Sequence, residues 1–360
     1  MAATLVVNAG SSSHKLLLFG PEGERLWKGS IDWSNRGGSL AQSSDQLATA
    51  LQNLLQEAVQ QGHNLGEIAA VGHRVVHGGD RFVAAVLLDD AVEAELEQLR
   101  HLAPLHNGPA LNTLEVLRNL LPHAWHAAAF DTAFHRTLPA EARTYALPAE
   151  WRARGLHRFG FHGLSHAAIA RRFPEGRLIS AHLGGGCSLA VIENGICIDT
   201  TMGFTPLDGL VMASRSGSLD PGLLLELLDQ GVTTAELHEG LHRRSGLLGI
   251  SNLSGDMRVL RQAAAAGNGD ADLAIAVFQQ QLLKAIGAGM ALLGGLNVLA
   301  LTGGIGEHDN DLRQWLQDRL QGLGLEPSGA ALLRIVAADE EAEILRQISG
   351  LGQPADRLAA

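Results

Sequence analysis

The stretch Thr4-Leu-Val-Val-Asn-Ala-Gly-Ser-Ser-Ser-His-Lys-Leu-Leu-Leu-Phe19 decides the fold. Two apolar runs flank a short polar turn, a pattern that reads as strand, tight turn, strand. Outward from it, Leu47, Leu51, Leu54, Leu55 and Val59 share one face of a helix over 44–61, with Ser44 or Asp45 as its cap. Residues 69–76 read as a buried strand ending in His77-Gly-Gly, 90–102 and 108–120 as helices, and 127–131 as a short strand. After about residue 132 the plan restarts. Residues 177–183 form a strand followed by Gly184-Gly-Gly, and 188–192 and 196–200 form a hairpin around Glu193-Asn-Gly195. Helices are expected around 221–229, 257–266 and 271–293, and the strand 297–301 runs into Gly303-Gly-Ile-Gly-Glu307. Each half thus opens with a strand, a Gly/Ser-rich turn and a second strand, an internal repeat of organisation and not of letters. Alternating strands and helices make the class α/β.

Composition narrows the function. A chain of 360 residues suggests two domains, and 46% hydrophobic residues suffice for two cores. A net charge of −11 argues against a nucleic-acid partner, which needs a basic face. Lysine is confined to Lys15, Lys28 and Lys284, so Lys15, beside the polar turn, stands out. Cys187 and Cys197 cannot build a disulfide framework, and a reducing compartment follows. No signal peptide is read at the N-terminus. The apolar stretch 285–306 is broken by glycines and Asn297, and reads as a buried helix, a turn and a buried strand, not a membrane span.

Three Gly-rich segments end apolar strands: Gly10–Ser13, Gly184–Gly186 and Gly303–Glu307. Turns of this kind present backbone N–H groups and hydroxyls to phosphate oxygens. The first is not a Walker A loop, because a strand follows it and not a helix. Three together are expected to frame a nucleotide across a cleft between two halves. Arg74, His106, His162 and Arg215 supply cations; Arg74 and Arg215 lie among Gly, Ser and apolar residues, where a solvated face is unexpected. His162 and His166 have i,i+4 spacing but no Glu follows His162, so the zinc-protease pattern fails, and Gly163-Leu-Ser165-His-Ala lacks the last Gly of a nucleophile elbow.

These motifs resemble those of one family. Asn8-Ala-Gly-Ser-Ser-Ser-His-Lys15 is similar to the first signature of the acetate kinases, and Arg158-Phe-Gly-Phe-His-Gly-Leu-Ser-His166 to the second. Gly72–Gly79, Ala103–Asn107, Phe130–His135, Met202–Gly209, Gly246–Ser251 and Thr302–Glu307 follow in family order, over roughly residues 4–310. The resemblance implies two similar ribonuclease H-like α/β domains of the actin, Hsp70 and sugar-kinase type with ATP between them. One would comprise 1–132 plus 341–360 on the acetate side, the other 133–340 on the nucleotide side.

It implies reversible phosphoryl transfer between ATP and acetate, giving ADP and acetyl phosphate, with no covalent intermediate. Asn8 and Glu340 would position Mg²⁺, with Mn²⁺ as the alternative ion; Glu341 competes with Glu340. Arg74 and His106 would meet the carboxylate, and Val76, Leu105, Phe161 and Pro206 would line the methyl pocket. Asp131, His162 and Arg215 would be catalytic. Ser11, Ser13, Lys15, His182, Leu183, Gly184, Gly185, Gly186, Asp256, Met257, Arg258, Gly304, Ile305, Gly306, Glu307 and His308 would surround ATP. Acetate is already an anion at neutral pH, so Asp131 is expected to orient an Arg or a metal-bound water. The chain departs from the family pattern at Gly185 for Asn, Cys187 for Ser and His308 for Asn, and 312–339 is shorter. The first two remove polar groups from a phosphate loop. The resemblance further implies a cytoplasmic homodimer with small-molecule substrates and no membrane partner. The alternatives are a propionate or butyrate kinase on the same fold, and an Hsp70- or actin-like ATPase module that signals to a protein.

Overall fold

The opening stretch forms β1 (Ala3–Ala9) and β2 (Ser13–Phe19), paired antiparallel with Val7 opposite Leu16 and Asn8 opposite Lys15. The computed structural model describes residues 3–10, 13–33, 43–322 and 333–352. β3 (Arg25–Asp32) extends the pair antiparallel to β2. It escapes the sequence reading because only Trp27 of its side chains is buried and Gly29 interrupts it, which leaves little period-2 signal. β4 (Ile68–Val75), β5 (Val86–Leu87) and β6 (Trp125–Phe130) complete a sheet in the order β3-β2-β1-β4-β6-β5, with β1, β4 and β6 parallel.

Alternation along β1 and β2 explains why the sheet is covered on both faces. Leu5, Val7, Leu16 and Leu18 join Leu47, Leu51, Leu54 and Leu55 of α1 (Ser44–Gln60) in one core. Val6, Leu17 and Phe19 face the other way, to Ile344 and Ile348 of the C-terminal helix. Each such side chain contributes about 1.5–3 kcal/mol through removal from water. α2 (Asp90–Gln98) and α3 (Pro104–Leu120) follow.

The second sheet holds β7 (Arg177–Leu183), β8 (Cys187–Glu193), β9 (Ile196–Thr200), β10 (Val298–Thr302) and β11 (Leu333–Ile335), in the order β11-β10-β7-β8-β9. Here β7, β8 and β9 are antiparallel neighbours, and β10 and β11 lie parallel on the other side of β7. The order β9-β8-β7-β10-β11 repeats β3-β2-β1-β4-β6, so the repeat of organisation is one of topology. The helices in this part are α4 (Ala140–Arg143), α5 (Ala149–Arg152), α6 (Gly163–Arg172), α7 (Pro221–Asp229), α8 (Thr234–Arg243), α9 (Gly246–Ser251), α10 (Met257–Ala265), α11 (Gly269–Leu293), α12 (Gly303–His308) and α13 (Asn310–Gly322). The last helix is α14 (Glu340–Ser349). The former membrane-span candidate is the end of α11, a turn and β10, and no helix among the described residues is long and apolar enough to cross a membrane.

Contacts divide the chain into unit 1, Met1–Phe134 with Gly163–Ser165 and Asp339–Ala360, and unit 2, His135–His162 with His166–Ala338. Glu340 therefore belongs with unit 1.

Three local expectations need correction. α1 is capped by Ser43, not Ser44 or Asp45, because Ser43 Oγ accepts from Gln46 N at 3.2 Å while Gln46 returns to Ser43 N at 3.1 Å, a reciprocal capping box. The helix expected over 90–102 ends at Gln98 and passes into a 3₁₀ turn at Arg100–Leu102. α3 starts at Pro104, a turn before the expected Gly108; Gly108 and Pro109 read as breakers, yet Pro104 suits the first helical position and the helix continues through Pro109.

Candidate active site

In unit 1 the ends of β1, β4 and β6 and the start of α14 bring four expected site residues together. Asp131 follows β6 and is 1% exposed. Arg74 from β4 donates Nε to both Asp131 oxygens, at 3.2 and 3.1 Å, and Nη2 to Oδ2 at 2.5 Å. Its Nη1 donates to Asn8 Oδ1 at 2.8 Å. Asn8 Nδ2 in turn donates to Glu340 Oε2 at 3.0 Å and Glu341 Oε1 at 2.9 Å. One amide thus links a guanidinium to two carboxylates. Burial works against the Arg74 charge, but Asp131, Glu340 and Glu341 outweigh it and push its pKa up. Burial pushes the Asp131 carboxyl up, and Arg74 pulls the other way.

Neighbouring residues hold this cluster in place. Gly163 N donates to Asp131 O at 2.9 Å, and a Cβ on Gly163 would stand 2.0 Å from that oxygen, so no larger residue allows the approach. Asn107, quoted in a motif but given no role, clamps the segment after β4: His77 N donates to its Oδ1 at 2.9 Å and its Nδ2 donates to His77 O at 3.0 Å. Val76 is buried at the end of β4, and His106 lies half-buried in the first turn of α3. Lys15 is exposed on β2 opposite Asn8, and Ser13 starts that strand. Ser11 and the side chain of Leu105 lie outside the described residues.

Among the described residues no group of three His, Cys, Asp or Glu side chains is set to hold a metal. Glu340 and Glu341 beside Asn8 nevertheless offer the oxygen chemistry a hard cation takes. Two carboxylates converge on one amide, and Mg²⁺ typically takes one or two carboxylates and keeps several waters.

In unit 2 a second set gathers at the ends of β7 and β8. His162 precedes α6 with φ 56°, a left-handed backbone uncommon outside glycine. Its ring stacks on His182, the last-but-one residue of β7, with centroids 4.4 Å apart. After Leu183 comes the Gly184–Gly186 turn, closed by Gly184 N donating to Gly186 O at 3.0 Å. A Cβ on Gly186 would lie 3.2 Å from His162 Nε2 and 3.7 Å from Arg215 Nη1, so glycine there leaves room beside both side chains. Arg215 Nη1 donates to Pro206 O at 3.1 Å, and Phe161 is buried next to His162. At Gly185 a Cβ would meet nothing within 4 Å.

Cys187 differs from its expected part in the loop. It is fully buried, its thiol donates to Gly184 O at 3.4 Å, and burial pushes it up to about 12. It ties the loop from behind as an un-ionised thiol. Elsewhere, Arg258 folds onto Asp256, which caps α10, and Met257 is buried. The segment 303–307, expected as a Gly-rich turn, is instead the start of the short helix α12; Glu307 Oε1 accepts from Gly303 N at 3.0 Å and Ala338 N at 2.9 Å, which fixes the turn carrying Gly304, Ile305 and Gly306, and His308 ends the helix.

Comparison with known proteins covers nearly all of the chain. The Acetokinase family model matches residues 3–344. The acetate kinase of Nostoc punctiforme is 40% identical over 357 residues, 89% of this chain and 88% of its own, and that of a Synechococcus species is 43% identical over 341 residues, 86% and 85%. The crystal structure of Porphyromonas gingivalis acetate kinase superposes with a TM-score of 0.85 at 32% identity, over 98% of this chain and 100% of that one. A propionate kinase from Francisella tularensis also gives 0.85 at 32%, over 96% and 99%.

Proposed function

The chain belongs to the acetokinase family, and we propose that it catalyses reversible transfer of a phosphoryl group between ATP and acetate. The observation that carries this reading is the match to that family over residues 3–344. The fold is that of acetate and propionate kinases, of the actin and sugar-kinase type.

Unit 1 is read as the acetate side and unit 2 as the nucleotide side. A guanidinium has five N–H donors. Asp131 and Asn8 engage Nε, one Nη2 and one Nη1 hydrogen of Arg74, and the remaining Nη1–H and Nη2–H form a fork for a substrate carboxylate. Asp131 fixes that fork, and no base is needed, because acetate is already ionised. In unit 2, backbone N–H groups within Gly185–Gly186 and Gly304–Gly306 suit phosphate oxygens, and the family resemblance adds Ser13 and Lys15 for the nucleotide. As acetate oxygen attacks the γ-phosphorus in line, charge builds on the equatorial oxygens, and His162 and Arg215 are read as the groups that meet it. Asn8, Glu340 and Glu341 would hold Mg²⁺, which would neutralise phosphate charge. For the methyl group the family resemblance points to Val76 and Leu105 in unit 1 and to Phe161 and Pro206 in unit 2.

A homodimer is proposed on the exposed leucines at 219, 223, 225 and 228, in and just before α7, a helix with no buried side chain. A cytoplasmic location is proposed on the two free cysteines and the need for ATP.

The test is a hydroxamate assay with ATP, Mg²⁺ and a C2–C4 carboxylate series. Acetate is expected to be preferred, with each added methylene costing about 10- to 200-fold in kcat/KM. Preference for propionate would favour the second reading, which the resemblance to the Francisella enzyme supports. ATP turnover indifferent to any carboxylate would point to an ATPase module.

A further inference from the structure

His162 is the first member of a hydrogen-bonded chain that runs into the core of unit 2. Its Nδ1 lies 2.8 Å from Ser188 Oγ. The same oxygen lies 2.8 Å from His166 Nε2, and His166 Nδ1 lies 2.8 Å from Ser180 Oγ. Ser188 and Ser180 come from the adjacent strands β8 and β7, and His166 from α6, one turn beyond His162. His166, Ser188 and Ser180 are all buried at 2% exposure or less.

Counting protons along this chain gives a single consistent arrangement. Among the described residues, His166 is the one hydrogen-bond partner of the Ser180 hydroxyl. If Ser180 accepted from His166, its own proton would be left buried with no acceptor, at a cost of about 1–3 kcal/mol. Ser180 therefore donates to His166 Nδ1. Burial, with His135 and His182 adding to it, holds His166 well below the ordinary histidine pKa, so the ring is neutral and carries its one proton on Nε2. That proton goes to Ser188 Oγ. The Ser188 proton then has one partner left, His162 Nδ1, which must accept. A neutral His162 consequently carries its proton on Nε2, the nitrogen 3.2 Å from the Cβ position of Gly186.

We propose that Ser180, His166 and Ser188 are positioning residues that lock His162 as an Nε2–H donor toward the reacting phosphoryl group. The inference rests on the phosphoryl-transfer reading for its purpose, but the tautomer itself does not. A neutral donor of fixed direction serves the transition state without placing a second cation beside Arg215. The device costs no reorganisation, because the tautomer is already set when substrate arrives.

Two measurements test it on the full chain. In ¹⁵N-histidine spectra, with the His162 signals identified by their loss in His162→Gln, the wild type is expected to show the Nε2–H tautomer. Ser188→Ala and Ser180→Ala should shift His162 toward the Nδ1–H form. In the kinetic arm, Ser188→Ala should lower kcat about 10- to 100-fold, with KM for ATP and acetate changed less than about threefold. Ser180→Ala, which touches neither substrate nor His162, should lower kcat less, and Ser188→Thr should restore part of the loss because it keeps the hydroxyl. A merely structural role would lower the folded fraction and leave the tautomer and the kcat of folded enzyme unchanged. A wild-type Nδ1–H tautomer, or one indifferent to both alanine variants, overturns the proposal. Absence of any phosphoryl transfer to a carboxylate would overturn the functional reading instead, and the spectra, which need no turnover, would still decide the relay.

Discussion

The two units hold their functional side chains by opposite means. In unit 1 the network is ionic: Arg74 grips Asp131 and Asn8, and Asn8 grips Glu340 and Glu341. In unit 2 it is neutral: imidazoles and hydroxyls alternate from His162 to Ser180. An ionic network fixes where charge sits, which suits binding a charged substrate in one pose. A neutral network fixes which way a proton points, which suits a donor needed only as charge develops. The first is strong while every partner is present and fails when one is removed; the second is vulnerable to an added proton.

The comparison breaks most sharply at Arg74. Arg74→Ala leaves Asp131 buried and uncompensated, and loss of one partner of a buried pair typically costs about 3–5 kcal/mol. Urea unfolding should show that loss, the double variant Arg74→Ala/Asp131→Ala should recover part of it, and carboxylate-dependent turnover should vanish in both. A single variant as stable as the wild type would mean that the ion pair does not organise unit 1.

Arg215→Ala should separate chemistry from stability. Removal of one preorganised charge at a transition state costs on the order of 3–4 kcal/mol, or about 10²–10³-fold in kcat. Unfolding should change little. Turnover near wild type at saturating substrate would remove Arg215 from the chemistry.

Acid should act on the imidazoles. Burial lowers His14, His126 and His135 to about 4, from an ordinary 6.5. Between those values the unfolded chain binds protons that the folded chain does not, so stability falls as pH drops below 6.5. Each such histidine adds up to about 1.4 kcal/mol per pH unit to the slope. Unfolding free energies at pH 7, 6 and 5, above most of the carboxylate range, should reveal it, and a flat profile would show that these rings are not buried neutral.

The smallest effect is expected from Gly185→Asn. An added side chain meets open space, so the melting temperature should stay within about 1 °C. KM for ATP should fall by up to about threefold if the amide reaches a phosphate oxygen. A large loss of stability would contradict the open space beside this loop.

Local sequence alone determined much of this molecule. The apolar runs around Asn8–Lys15 and around Gly184–Gly186 specify hairpins, because period-2 burial and Gly/Ser turns are local properties. The same locality made Arg74 and Arg215 stand out and let ordered motifs identify the family. What the tertiary structure decided lies across the chain. Asn8 meets Glu340 and Glu341 over more than three hundred residues, and no periodicity records which carboxylate of an adjacent pair will arrive. The register of β7 against β8 sets Ser180 and Ser188 on either side of His166, whose i,i+4 spacing from His162 resembled a failed zinc motif. Cys187 read as a lost polar group in a phosphate loop, and folding turned its thiol inward to Gly184 O. Periodicity reports which face of an element is buried; the partner that meets it there is set by strand register and helix packing, which only the assembled chain contains.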